Sequence, residues 1–249
     1  MNLEKKICLI TGGTKGIGAA TALALAEKGA DIAIAARHVD EPAKKVCREI
    51  EALGRRCLCL AADLGNPDQA TECVQKTASH FGALDVVVHS AGGPVNGGLL
   101  EVTPEAWMAA FNVHVHGIFF LCRAAVPHLR KQKEGAIILL SSTAGIRGIK
   151  TNVAYQTVKG ALPQFARALA YEFAPDNIRV NCVAPGVIRT AFHDQMPPEM
   201  KKHNLENRIP LRREGAPQQV ATVIRELITN DYITGQTVVV DGGLTMRIC

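Results

Sequence analysis

Lys6-Ile7-Cys8-Leu9-Ile10-Thr11-Gly12-Gly13-Thr14-Lys15-Gly16-Ile17-Gly18 is the stretch whose reading decides the fold. Its first half is a short apolar run of strand character and its second half a glycine-rich turn. The alanine- and leucine-rich segment Ala19 to Lys28 that follows has helical composition. Strand, glycine turn and helix in that order let the backbone approach a pyrophosphate, with the unpaired N–H groups and positive dipole end of the helix facing the anion. Gly16 is followed by Ile17 rather than by Lys and Ser or Thr, which excludes a P-loop.

Outward from this stretch, apolar runs near Ile7, Ile32, Leu58, Val87, Ile138, Val180 and Val239 alternate with segments of helical composition. The alternation predicts an α/β, doubly wound fold in which a seven-stranded parallel sheet is flanked by helices on both faces. Asn66-Pro67-Asp68-Gln69 and Thr103-Pro104-Glu105 each set a capping side chain before a first-turn proline and so mark two helix starts. Right-handed crossovers make the C-terminal ends of the strands the binding edge, and Gly12, Asp63, Ala91, Ser142 and Pro185 all fall on it. Tyr155 and Lys159 stand four residues apart, which stacks a phenol and an ammonium on one helical face. A neighbouring cation favours the phenolate and brings a tyrosine toward acid/base use. Taken alone, the pair also fits a solvated helix surface.

Composition sets limits. A chain of 249 residues with 47% apolar content can build one large core, and no linker or repeat interrupts residues 1–249, read here as one domain. The net charge of +5 is spread over short groups such as Arg130-Lys131-Gln132-Lys133 and Lys201-Lys202 without interleaved aromatics, which reads as solvated helix ends and not as a nucleic-acid surface. Charges in Met1 to Lys6 occupy the place of a signal peptide's apolar region, and no apolar run reaches membrane-spanning length, so the expectation is a cytoplasmic protein without a membrane partner. Eight cysteines without a Cys-x-x-Cys pair read as buried, reduced thiols. His114 and His116, two apart on a helical segment, point to nearly opposite faces, and no metal site is expected.

These residues carry a resemblance. Thr11-Gly12 with Gly16 and Gly18, Asp63-Leu64, Ala91-Gly92, Asn112, Ser142 thirteen residues before Tyr155, Tyr155 with Lys159, Pro185-Gly186-Val187-Ile188-Arg189-Thr190, Ile233-Thr234-Gly235-Gln236 and Asp241-Gly242-Gly243 follow one another in an order that resembles the short-chain dehydrogenase/reductase family, in its 3-oxoacyl-[acyl-carrier-protein] reductase-like branch. The resemblance covers essentially the whole chain and implies a Rossmann-type domain that interconverts a carbonyl and a secondary alcohol. It implies that Tyr155 is the acid/base, that Lys159 holds the ribose and favours the phenolate, that Ser142 bonds the substrate oxygen, and that Asn112 holds a water linking Lys159 to solvent. It further implies a cofactor bed of Gly12, Thr14, Lys15, Gly16, Ile17, Gly18, Arg37, Asp63, Leu64, Ser90, Ala91, Gly92, Tyr155, Lys159, Pro185, Gly186, Ile188 and Thr190.

Strand Asp31-Ile32-Ala33-Ile34-Ala35-Ala36 ends in alanine and is followed by Arg37, with Lys15 as a second cation, where an acidic residue would hold the adenosine ribose of NAD(H). NADP(H) is therefore expected over NAD(H), with Asp40 nearby as the opposing signal. The chain departs from the family at His89-Ser90-Ala91-Gly92, where Asn-Asn-Ala-Gly is usual, and this places the bracing of neighbouring strands in question. A slightly short segment before Ile233 is a second departure. Residues 189–212, with Phe192, His193, Met196, Pro197, Pro198 and Met200, read as a substrate lid, joined by Gly93 to Gly98 and Ala144 to Asn152. The substrate is a small ketone, sugar or polyol, or a carrier-bound acyl group whose acidic carrier Arg130, Lys131 and Lys133 would receive; Asp176-Asn177 speaks against the carrier. The other class of reading is a catalytically silent dinucleotide-binding regulator or scaffold. The resemblance also implies a homotetramer, and Phe111, Ile118, Phe119, Leu162, Phe165 and Leu169 supply apolar surface for one.

Overall fold

The computed structural model describes residues 1–191 and 196–246. Seven strands lie parallel in the order β3-β2-β1-β4-β5-β6-β7. They are β1 (Ile7–Thr11), β2 (Asp31–Ala36), β3 (Cys57–Ala61), β4 (Val86–His89), β5 (Gly135–Leu140), β6 (Ile178–Pro185) and β7 (Thr237–Val240). Each of the apolar runs expected as a strand is one. The helices between them are α1 (Gly16–Ala26), α2 (Glu41–Ala52), α3 (Pro67–Phe81), α4 (Pro104–Phe111), α5 (Gly117–Gln132), α6 (Val153–Phe173), α7 (Pro198–His203) and α8 (Pro217–Thr229).

The strands are apolar on both sides because both sides are covered. Leu9, Ala33, Val87 and Ile137 pack against Ile118, Leu121, Leu162 and Ala166 on one face. Their strand neighbours Ile10, Ile34, Val88 and Ile138 pack against Leu25, Ile50, Val220 and Ile224 on the other. The two expected caps form: Asn66 Oδ1 accepts from the N–H groups of Asp68 and Gln69 at 3.0 and 3.2 Å, and Thr103 Oγ1 accepts from that of Ala106 at 3.2 Å.

Two expectations are corrected. α4, a π-helical turn over Asn112–His116 and α5 join into one helical run, Pro104–Gln132, of 29 residues, whose most apolar 18-residue window has a mean hydropathy of 1.3, long and apolar enough to cross a membrane by length and composition. Its apolar character is that of a core helix, since Ile118, Leu121, Cys122, Ala125 and Leu129 are buried against the sheet. Cys57 and Cys59 are half-buried, not buried, because β3 is an edge strand. The Sγ atoms of Cys57 and Cys47 lie 3.0 Å apart. Phe192 and His193 of the expected lid lie outside the described residues.

Candidate active site

The glycine turn leads from β1 into α1 as the sequence requires, and the other strand ends close around it. A Cβ atom on Gly12 would lie 2.8 Å from the Ala91 nitrogen, so the turn touches the loop after β4 backbone to backbone. A Cβ on Gly16 would meet Thr190 Cγ2 at 3.2 Å, which puts the segment after β6 on the opposite wall of the same cleft. The backbones of Gly12, Gly16, Ser90, Ala91, Pro185, Gly186 and Thr190 thus share one edge. Thr14, Leu64 and Ile188 are buried, so their side chains brace the edge from below.

Lys15 and Arg37 are exposed and make no ion pair among the described residues. Asp40, the carboxylate that could have served a ribose, caps α2, its Oδ1 accepting from the Ala43 N–H at 3.3 Å. Asp63 turns its Oδ1 to the N–H of Gly65 at 2.9 Å. The donor set suits a dinucleotide with a phosphate beside Arg37: backbone amides in the turn and two uncommitted cations next to it.

The polar cluster forms where α6 crosses the end of β5. Lys159 is buried, and its Nζ donates to the Leu140 carbonyl at 2.7 Å. The Lys159 carbonyl in turn accepts from Ser141 Oγ at 2.7 Å, which fastens the helix to the strand end at two points. Burial pushes the Lys159 ammonium down to about 8. One turn earlier the Tyr155 ring lies with its centroid 5.8 Å from that Nζ. Burial holds the phenol above its ordinary range, and a hydrogen bond with the Ser142 side chain opposes the rise. This corrects the expectation that the neighbouring ammonium draws the phenol down: burial is the larger effect here. Ser142 Oγ also accepts from the Ala144 N–H at 3.1 Å, capping a short 3₁₀ turn, so it serves the turn and meets Tyr155 with one hydroxyl.

The structure does not bring Asn112 into this cluster. Asn112 and His116 lie one turn apart on the same face, and Asn112 Oδ1 pairs with His116 Nδ1 at 3.1 Å on the outer side. On the opposite face His114 is buried, and its ring meets that of Tyr155 edge-on, centroids 6.1 Å apart at 90°. The opposite pointing of His114 and His116 was legible from their spacing; that the inward position belonged to His114 was not.

His89 settles the question raised by its departure from asparagine. It is buried at the end of β4, and its Nδ1 pairs with Thr11 Oγ1 on β1 at 3.0 Å, so the two neighbouring strands remain tied. The loops Gly93 to Gly98 and Ala144 to Asn152 are stitched together beside Tyr155: Gly97 N–H donates to the Thr151 carbonyl at 3.0 Å and Val153 N–H to that of Gly97 at 3.1 Å.

Known proteins resemble this chain in sequence and fold. A family model described as enoyl-(acyl carrier protein) reductase matches residues 12–245. The 3-oxoacyl-[acyl-carrier-protein] reductase FabG of Thermotoga maritima is 37% identical over 248 residues, 99% of this chain and 100% of that one. Among solved structures, L-sorbose reductase of Gluconobacter frateurii, complexed with NADPH and L-sorbose, superposes with a TM-score of 0.92 at 30% identity over 100% of both chains. A short-chain dehydrogenase of Burkholderia cenocepacia in complex with NADP gives a TM-score of 0.91 at 32% identity, over 98% of this chain and 99% of that one. A glycine-turn Rossmann sheet, a half-buried Tyr155 and a buried Lys159 at its edge and relatives matched from end to end lead to one statement: the chain belongs to the short-chain dehydrogenase/reductase family, in its FabG-like branch, and is an oxidoreductase.

Proposed function

We propose that residues 1–249 form a single NADP(H)-binding domain, with the lid at 189–212, that interconverts a carbonyl and a secondary alcohol in the cytoplasm. The observation that carries this reading is the convergence of Ser142, Tyr155 and Lys159 at the end of β5, beside a glycine turn flanked by two uncommitted cations. When bound, the cofactor supplies or takes up the hydride.

The rest is the work of this chain's residues. Backbone amides of the Gly12 to Gly18 turn would hold the pyrophosphate, and Lys15 and Arg37 the 2′-phosphate. Tyr155 Oη gives its proton to the substrate oxygen in reduction and takes it back in oxidation. A phenol held above its ordinary range is fully protonated at neutral pH and ready to donate. Ser142 bonds the same oxygen where negative charge develops. Lys159, fixed on the Leu140 carbonyl, places its positive charge near the phenolate left behind. A silent scaffold has no use for a buried ammonium against a half-buried phenol, so we set that alternative aside.

For the substrate, Arg130 is held by Asp176, Nε to Oδ2 at 2.8 Å, which removes one of three cations from any carrier-binding surface. This favours a free small ketone, sugar or polyol over a carrier-bound acyl group. An NADPH-consumption screen over sugars, diketones, steroids and 3-oxoacyl thioesters separates the classes.

We also propose a homotetramer, with no nucleic-acid or membrane partner. Ile118 and Leu162 serve the chain's own core. Beside them lies an apolar groove of about 820 Å³ between α5 and α6, lined by Val115, Phe119, Phe120, Ala161, Phe165 and Ala168, and Phe119 is 45% exposed. A second copy presenting the same two helices across a two-fold axis would cover it.

Three outcomes follow. Tyr155→Phe removes the proton-transfer oxygen and keeps the ring, so turnover falls by about 10²–10⁴-fold while NADPH still binds by fluorescence titration; a variant keeping a tenth of the rate overturns the assignment. Arg37→Ala loses a charge-assisted contact of about 1.5–3 kcal/mol, so KM for NADPH rises roughly tenfold to a hundredfold and that for NADH stays put; an unchanged preference contradicts the phosphate site. Light scattering gives a particle of four chains of 26.6 kDa, and a single-chain mass refutes assembly.

A further inference from the structure

Three thiols gather at one edge of the sheet. β3 is the edge strand, and Cys57 and Cys59, two residues apart on it, face the side that α2 covers, as their register partners Ile32 and Ile34 on β2 do. The buried stripe of α2, Ala43, Val46 and Ile50, packs on that side, and Cys47 stands on the same stripe, one turn from Ala43 and one from Ile50. Helix and edge strand thus present thiols to each other.

Two of them are in direct contact. The Cys57 thiol donates to Cys47 Sγ at 3.0 Å, although ten residues of chain separate the two. A sulfur–sulfur bond is about 2 Å long, so closing one asks these atoms to approach by about 1 Å. Both thiols are half-buried, as is Cys59, whereas Cys8, Cys73, Cys122 and Cys182 are buried. A cysteine kept for packing sits like those four, inside the core as a small apolar side chain. The pair at the edge departs from that pattern on two counts, a sulfur in contact with a sulfur and access from solvent.

Assembly through α5 and α6 would leave this place open. The α2 residues Val46 and Ile50 pack with α1 and α8 on one face of the sheet, while α5 and α6, with the apolar groove between them, lie on the other. The two thiols also differ in readiness. Burial, and after it the Cys47 sulfur, hold the Cys57 thiol above its ordinary range, so Cys57 stays protonated and Cys47 is the thiol that meets an incoming disulfide first.

We propose that Cys47 and Cys57 are a redox modification site, a dithiol that closes to a disulfide by exchange with a low-molecular-weight disulfide and so braces α2 on the edge strand. The exchange has two steps. Cys47 Sγ, as thiolate, attacks one sulfur of the small disulfide, and a mixed disulfide forms while one small thiolate leaves and takes up the proton that Cys47 lost. Cys57 Sγ then gives its proton to solvent and attacks Cys47 Sγ, and the second small thiolate leaves and is protonated in turn. Two protein thiols are oxidised, and one small disulfide is reduced to two thiols. In a reducing compartment the pair stays open, and it closes as small disulfides accumulate. The site stands apart from the reading of Tyr155 and Lys159.

Incubation of the full chain with oxidised glutathione, then alkylation of the remaining thiols and peptide mass mapping, tests the site. We expect one bridge joining the peptide of Cys47 to that of Cys57, lost in Cys57→Ser and kept in Cys59→Ser. Fragmentation of the bridged peptides of the wild-type protein locates the bond even if a variant folds poorly. The bridge closes a span of ten residues, so the melting temperature should rise by about 5 °C or more on oxidation and fall back with dithiothreitol, and Cys57→Ser should show no rise. A glutathione that stays on Cys47, a wild-type bridge to Cys59, a Cys57 that remains open to alkylation, or a melting temperature that oxidation leaves unmoved overturns the proposal.

Discussion

The buried ammonium of Lys159 is the constraint on which the active edge depends. Its Nζ is fastened to the last carbonyl of β5 and its own carbonyl to Ser141, so α6 has one position on the sheet end. Tyr155, a turn earlier on that helix, is thereby set against Ser142, the residue that leaves the strand. An interior ammonium is tolerated because it is hydrogen-bonded, and the strain shows in a titration brought down to about 8. Burial, and after it the charge of Lys159, hold the His89 and His114 imidazoles below their ordinary range.

Much of this was legible in the sequence. The strands and their parallel direction followed from apolar runs alternating with helical segments, since a sheet covered on both faces must be apolar on both. The helix starts at Asn66 and Thr103 were legible because a capping side chain followed by proline has a local physical cause. The cleft was legible because Gly12, Asp63, Ala91, Ser142 and Pro185 each lay at the C-terminal end of a strand.

What escaped the sequence was long-range. Asn112 and His114 are both polar residues on one helical run, and only the packing of the π-helical turn against α6 decides which faces Tyr155. Asn112 shares the outward face of His116, two residues and half a turn away from the site. The phenol's direction of shift was misjudged for a similar reason: spacing shows that an ammonium is near, not how much water both groups lose. The half-buried thiols of β3 needed the strand order, and the role of Asp40 needed the geometry of a cap. His89 had been flagged as a departure, and its compensating bond to Thr11 depends on a partner 78 residues away.

The central claim is that this edge transfers a hydride to a carbonyl carbon. NADPH deuterated on the transferred position of C4, supplied with the carbonyl substrate that the screen selects, tests it most directly. The account predicts that the alcohol product gains one deuterium on the former carbonyl carbon, read as a one-mass-unit increase, together with a slowed rate. An alcohol without deuterium, or no alcohol at all from any substrate class while NADPH remains bound, would contradict it.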